Sequence, residues 1–254
     1  MKRLKARLAE KRRVLGLSIL YEAPGMIESL SGQDWDLYFV DGQHALGQHT
    51  WQEHLRACER AGIAPILRVP ACKGYLVSQG LDLGAWNVMV PMVESADQAR
   101  EAVRAAYFPP MGSRSAAGTR PSVLHGDDYL EMAVQWTSLT VQIETREGMD
   151  HLDEIAAVPG VDSIFIGTWD LCLSMGIPLA EKDTSEEIEA AVQRVGRVAA
   201  EHGKYAGMIC TTPEAIAWRV TQGYLFFVLS ISVNLTSEPL GQLLKRTRKV
   251  LGEG

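Results

Sequence analysis

Short apolar runs recur along the chain, each followed by a polar or glycine-bearing segment and then by a stretch with helical spacing. Val14–Leu20, Leu37–Val40, Ala64–Val69 and Asn87–Val90 come first. Val141–Thr145, Ile164–Ile166, Lys204–Ile209 and Tyr224–Leu229 follow. Rich in β-branched and aromatic residues, they read as buried strands. Helical spacing fills the gaps at Pro24–Leu30, Thr50–Ala61, Tyr75–Leu83, Met149–Val158, Thr184–Glu201 and from Pro213 to the stop at Gly223. Ser95-Ala96-Asp97-Gln98 is a capping box that opens a helix to Ala106. A last helix covers about 236–251. Lys2–Lys11, with Leu4 and Leu8 one turn apart, reads as a short amphipathic helix packed on the barrel base. Phe108–Asp128 reads as one long loop, broken by Pro109-Pro110, Gly112, Gly118, Pro121 and Gly126. Strand–helix alternation of this kind predicts an α/β fold, a (β/α)8 TIM barrel with an N-terminal helix.

Composition agrees. The chain has 254 residues, close to the roughly 250 of a typical barrel. Nothing divides it, so one barrel domain is expected over 1–254. A net charge of −6 argues against nucleic acid as a partner. Cys58, Cys72, Cys172 and Cys210 are scattered without a C-x-x-C pair, which suits a reducing, cytoplasmic setting. The basic start lacks a signal-peptide core, and the apolar run Tyr224–Val233 is too short to span a membrane.

In such barrels the chemistry sits at the C-terminal ends of the strands. The polar residues there are His44, Arg68, Glu144 and Asp170. Glu144 and Asp170 close consecutive strands of a strand–helix–strand unit and therefore lie on the same side of the sheet. Two anions there repel unless one is protonated or a cation lies between them. The other reading is a pair of surface acids that cap the following helices. A Schiff-base lysine is missing from the strand ends: Lys73 lies past strand three, and Lys204 precedes its strand. His44, His49 and His54 are spaced by five, which does not stack a zinc pair on one helix face. Hard oxygen ligands suit Mg²⁺ or Mn²⁺. Such an ion chelates a 2-keto acid and stabilises its enolate, with Arg68 adding charge and His44 moving the proton.

Six motifs occur in order: Asp41-Gly42-Gln43-His44, Arg68-Val69-Pro70, Val90-Pro91-Met92-Val93, Tyr107-Phe108-Pro109-Pro110-x-Gly112-x-Arg114, Val141-Gln142-Ile143-Glu144-Thr145 and Phe165-Ile166-Gly167-x-x-Asp170-Leu171. Over about Gly16–Leu240 the chain resembles the HpcH/HpaI family of class II, metal-dependent pyruvate aldolases, of the phosphoenolpyruvate/pyruvate barrel type. The resemblance implies Glu144 and Asp170 as ligands of a divalent metal, Mg²⁺ or Mn²⁺ with Co²⁺ as a further candidate. It implies Arg68 and Gln142 in the pyruvate pocket, and the backbone of Gly167, Thr168 and Trp169 at the pyruvate carboxylate. His44 matches the catalytic histidine and Asp82 the acid paired with it. A homohexamer that exchanges its C-terminal helices is implied as well.

The expected reaction is reversible cleavage of a 4-hydroxy-2-keto acid to pyruvate and an aldehyde. The alternatives are a citrate-synthase-like condensing enzyme and a keto-acid-binding barrel with little catalysis. Departures from the family pattern are Gln43 for glutamate, Thr168-Trp169 for proline and a small residue, and Cys172 for serine. Ser115 stands in place of a glycine, and Ser232-Val233-Asn234 lacks the usual G-x-D.

Overall fold

Eight parallel strands pair each with the next, and the last with the first, to close a barrel. The computed structural model describes residues 4–116 and 118–251, with the side chains of all but residues 19, 230–236, 238, 250 and 251. In chain order the elements are α1 (Leu4–Ala9), β1 (Val14–Ile19), α2 (Pro24–Ser29), β2 (Leu37–Asp41), α3 (Trp51–Ala61), β3 (Ala64–Arg68), α4 (Gly74–Asp82), β4 (Asn87–Val90) and α5 (Ala96–Ala106). Then follow α6 (Arg120–His125), α7 (Tyr129–Trp136), β5 (Ser138–Ile143), α8 (Arg146–Asp150), α9 (Leu152–Ala156), β6 (Ser163–Ile166) and α10 (Thr168–Met175). The chain ends with α11 (Glu186–Glu201), β7 (Tyr205–Ile209), α12 (Pro213–Thr221), β8 (Tyr224–Ile231) and α13 (Ser232–Leu251).

Alternation along the strands divides the core. Tyr38, Val40, Leu67, Val88, Val90, Val141, Ile143 and Ile164 face outward and pack under the helices. Leu37, Phe39, Ile66, Met89, Phe165, Phe226 and Val228 fill the interior. Leu4 and Leu8 join that inner cluster from below, so α1 plugs the base, as its two leucines predict. Two ion pairs clamp it there: Lys5 to Asp162 at 3.2 Å and Arg7 to Asp36 at 2.6 Å.

Three differences from the sequence reading matter. The segment after Phe108 is not all loop, because α6 and α7 form within and beyond it. Trp86, Tyr129 and Trp136 bury one another there, and that contact across the chain leaves no local periodicity to read. β5 begins at Ser138 and ends at Ile143, so Glu144 stands just past the strand. The helix expected over Met149–Val158 is two short ones, broken at His151, whose Nδ1 lies 2.9 Å from the Glu94 carbonyl oxygen. Among the described residues, no helix is long and apolar enough to cross a membrane.

Candidate active site at the barrel mouth

Strand register sets the first pair. β2 and β3 place Asp41 beside Arg68, and both are buried. Arg68 donates from Nε to Asp41 Oδ1 at 2.9 Å and from Nη2 to Oδ2 at 2.6 Å. Asp41 Oδ1 also accepts the backbone N–H groups of Gln43, at 3.0 Å, and His44, at 3.4 Å. One carboxylate thus fixes the guanidinium and the turn that carries His44. Gly42 is required in between: a Cβ there would lie 2.7 Å from the Arg68 carbonyl oxygen and 2.9 Å from the Trp51 ring.

The third guanidinium nitrogen reaches over β4. Arg68 Nη1 donates to Gln142 Oε1 at 3.4 Å, a meeting of alternate strands in one interior layer. Gln142 Nε2 donates on to Glu144 Oε2 at 2.5 Å, and the Met92 N–H donates to Glu144 Oε1 at 2.9 Å. Met92 adopts a left-handed φ of 54°, a rare conformation for a side-chain-bearing residue. Strain of this kind concentrates at functional sites, and here the residue that carries it donates to a carboxylate.

Glu144 is fully buried. Desolvation pushes its carboxyl up to about 7, and the negative Asp170 acts in the same direction. The Met92 N–H, the Arg68 charge and the Gln142 amide oppose the shift and do not cancel it. Asp170 lies in the first turn of α10, half-buried. Gly167 donates its N–H to the Ile143 carbonyl at 3.0 Å. A Cβ at Gly167 would lie 2.4 Å from Glu144 Oε2, so the bare backbone leaves room beside that oxygen.

These residues fit a divalent cation. A buried carboxylate, a second one near it and a glycine cradle make a hard-oxygen site with an uncompensated negative potential. Among the described residues no group of three His, Cys, Asp or Glu side chains assembles, so water and substrate oxygens would supply the other ligands. Neither Lys73 nor Lys204 stands inside the barrel at a strand end: Lys73 is exposed just before α4, and Lys204 donates from Nζ to the Val158 carbonyl at 3.4 Å, beneath the barrel. His54 is fully buried with its ring nitrogens 2.9 Å and 3.0 Å from the carbonyl oxygens of Thr50 and Tyr21, a structural histidine.

The expected residues do not all converge within one chain. Arg68, Gln142, Glu144 and Asp170 do, with Gly167 and Thr168 beside them. His44 is exposed at the rim, and Trp169 is 58% exposed. Asp82 ends α4, roughly 12 Å along the helix from its start near the mouth. It accepts from Arg114 Nη2 at 2.6 Å and Nε at 3.2 Å, and no hydrogen bond joins it to His44. Arg114 is buried against Phe108, 4.9 Å from its ring centre. The side chains of Ser232-Val233-Asn234 lie outside the described residues. Sequence reasoning gave Asp41 and Met92 no role; Asp41 was legible as a carboxylate ending a strand beside Arg68, whereas the φ of Met92 leaves no trace in its residue type.

The family model described as HpcH/HpaI aldolase/citrate lyase matches residues 15–239. The 2-dehydro-3,6-dideoxy-6-sulfogluconate aldolase of Pseudomonas putida is 35% identical over 236 residues, covering 91% of this chain and 91% of its own. The hydroxypyruvate/pyruvate aldolase of Roseovarius nubinhibens is 34% identical over 250 residues, covering 96% of each. Among solved structures, citrate synthase SbnG superposes with a TM-score of 0.90 at 30% identity over 100% of both chains.

Proposed function

Because the chain belongs to the HpcH/HpaI aldolase/citrate lyase family, we propose that it reversibly cleaves a 4-hydroxy-2-keto acid to pyruvate and an aldehyde, with a divalent cation on Glu144 and Asp170. The observation that carries this reading is the buried Glu144 carboxylate, raised to about 7 beside Asp170 and linked through Gln142 to Arg68. When bound, Mg²⁺ or Mn²⁺ (or Co²⁺) would supply Lewis acidity toward the carboxylate and keto oxygens of the pyruvate unit.

The chain's own residues do the rest. Thr168 and Trp169 open α10, where the first N–H groups have no intrahelical partner. Those N–H groups receive the pyruvate carboxylate beside Gly167, whose bare backbone leaves the room and whose own N–H is held by the Ile143 carbonyl. Arg68 donates to the keto oxygen, where negative charge grows as the C3–C4 bond breaks. Asp41 keeps that guanidinium from turning away. His44 accepts the C4 hydroxyl proton at a ring nitrogen; the bonding pair passes into the enolate and the aldehyde leaves. Protonation of C3 then gives pyruvate.

Self-association to a homohexamer is part of the proposal. α13 touches the barrel at β8 and β1, while its Leu240, Leu243 and Leu244 are exposed. An apolar helix face of that kind supports exchange of 236–251 between subunits. A neighbouring copy would also bring Asp82 to His44, which one chain does not. Four cysteines, none disulfide-bonded, support a cytoplasmic setting.

A second reading is favoured by the full-length likeness to citrate synthase SbnG: the same enolate adds to a keto acid in place of an aldehyde. One experiment separates the cases. With Mg²⁺ or Mn²⁺ and pyruvate in D₂O, the C3 protons should exchange, and a panel of aldehydes should then yield an aldol. Exchange with product only from keto-acid acceptors would select the condensing reading. A folded, metal-loaded protein that exchanges nothing would exclude both.

A further inference from the structure

Below Gln142 and Glu144, on the inner wall of the barrel, four buried polar atoms have no hydrogen-bond partner among the described residues: Asn87 Oδ1, Ser138 Oγ, Thr140 Oγ1 and Ser163 Oγ. Their residues are 2%, 0%, 0% and 0% exposed. Register places them together. Asn87 faces Ser138 across β4 and β5, Thr140 faces Ser163 across β5 and β6, and Ser138 and Thr140 are successive inward positions of one strand. Asn87 Nδ2 donates to the Pro65 carbonyl at 2.8 Å, which fixes the amide and leaves Oδ1 on the other side.

Native interiors leave few polar atoms unpaired, because each costs free energy comparable to a lost hydrogen bond. Four on adjacent strands, at positions that comparable barrels fill with bulky branched side chains, are a built feature. Three are hydroxyls that need an acceptor as well as a donor, and the fourth is an acceptor only. Water answers both needs at once. A cation does not, since it leaves the hydroxyl protons unpaired, and no inward carboxylate of β4–β6 stands below Glu144 to balance its charge.

We propose that this seam is a buried water site holding one or two ordered molecules that bridge β4, β5 and β6 beneath the barrel mouth. The bridge pins the inward face of β5, two residues below Gln142. It is independent of the reaction assigned to the mouth, since it rests on atoms that no substrate touches.

A high-resolution crystal structure of the full chain should show ordered density within hydrogen-bond distance of at least three of the four side chains. Thr140→Val keeps the shape and removes the hydroxyl. It should expel a water and lower Tm by about 2–4 °C. Ser163→Ala should act in the same direction, and it stands in if the first variant does not fold. Absent density, with Tm unchanged or raised in Thr140→Val, would overturn the proposal, because deleting a dry orphan hydroxyl stabilises. A peak ringed by oxygens at cation distances, with Tm rising in K⁺ or Na⁺ over choline at equal ionic strength, would overturn it in favour of an ion.

Discussion

Asp41 grips Arg68 with both carboxylate oxygens, at 2.9 Å to Nε and 2.6 Å to Nη2, in a pair almost closed to solvent. The same carboxylate holds the turn that presents His44. Removing one partner of a buried pair leaves an uncompensated charge and costs about 3–5 kcal/mol. Asp41→Asn should lose stability of that order in urea unfolding, and pyruvate C3 exchange in the folded fraction should drop at least about tenfold. Arg68→Lys is the control: it keeps the charge but not the fork. It should abolish exchange more completely than it destabilises the fold.

Gly167 is the tightest constraint on the carboxylate pair. A methyl group at 167 would sit 2.4 Å from Glu144 Oε2 and 2.7 Å from Gln142 Nε2. Neither can yield easily, since both are buried and bonded to each other. Gly167→Ala should therefore leave the circular dichroism of the barrel intact while weakening Mn²⁺ binding at least about tenfold. Calorimetric titration checks it, and a variant with full Mn²⁺ affinity would remove Glu144 from the site.

Metal binding should depend on pH through the same carboxylate. Burial raises Glu144 to about 7 in the metal-free fold, whereas in the unfolded chain it titrates near about 4.3. Between those values the folded state holds the extra proton, so metal-free stability falls as pH rises and levels off above about 7. A cation competes with that proton. The rise in Tm on adding Mn²⁺ should thus be larger at about pH 8 than at about pH 6, and Glu144→Gln should abolish the rise at both.

Much of this was legible in the residues. Most strands were readable because they are short β-branched or aromatic runs buried on both faces, and Arg68, Glu144 and Asp170 because they stand at or just past the ends of such strands. What escaped depends on contacts the chain makes with itself at a distance. α7 is held by Trp86 and Trp136, fifty residues apart, and carries no cap or stop of its own. Met92 matters through its backbone N–H and left-handed φ, neither of which is written in a methionine. Within one chain Asp82 accepts from Arg114, a contact its motif does not show, and a pairing with His44 would need a second copy.

Acid should loosen the barrel from its flank before its mouth. Hydrogen bonding from Arg219 lowers Glu189 to about 2, with Gln193 and Gln222 adding to it. A depressed carboxylate contributes stability that is full above about 4.3 and is lost as pH falls through about 2. The pair is partly open, 17% and 36% exposed, so screening limits the effect to about 1 kcal/mol or less. Wild type should be more stable than Glu189→Gln at neutral pH, and the two should converge toward about pH 2. Parallel curves down to that pH would show the pair to be energetically silent.

The pairing of His44 with Asp82 decides whether the site belongs to one chain or two. His44 is exposed at the rim, while Asp82 ends α4 and is bonded to Arg114. If a second copy supplies the acid, His44→Ala and Asp82→Ala are each inactive alone but complement each other when mixed. Denaturing them together and refolding assembles some interfaces with an intact His44 on one side and an intact Asp82 on the other. Random closed assembly makes about one site in four of this kind, so exchange activity should return to roughly a quarter of wild type. If Asp82 serves only to anchor Arg114, Asp82→Ala should lower Tm while its folded fraction turns over normally. Mixing would then add nothing beyond dilution of the active variant.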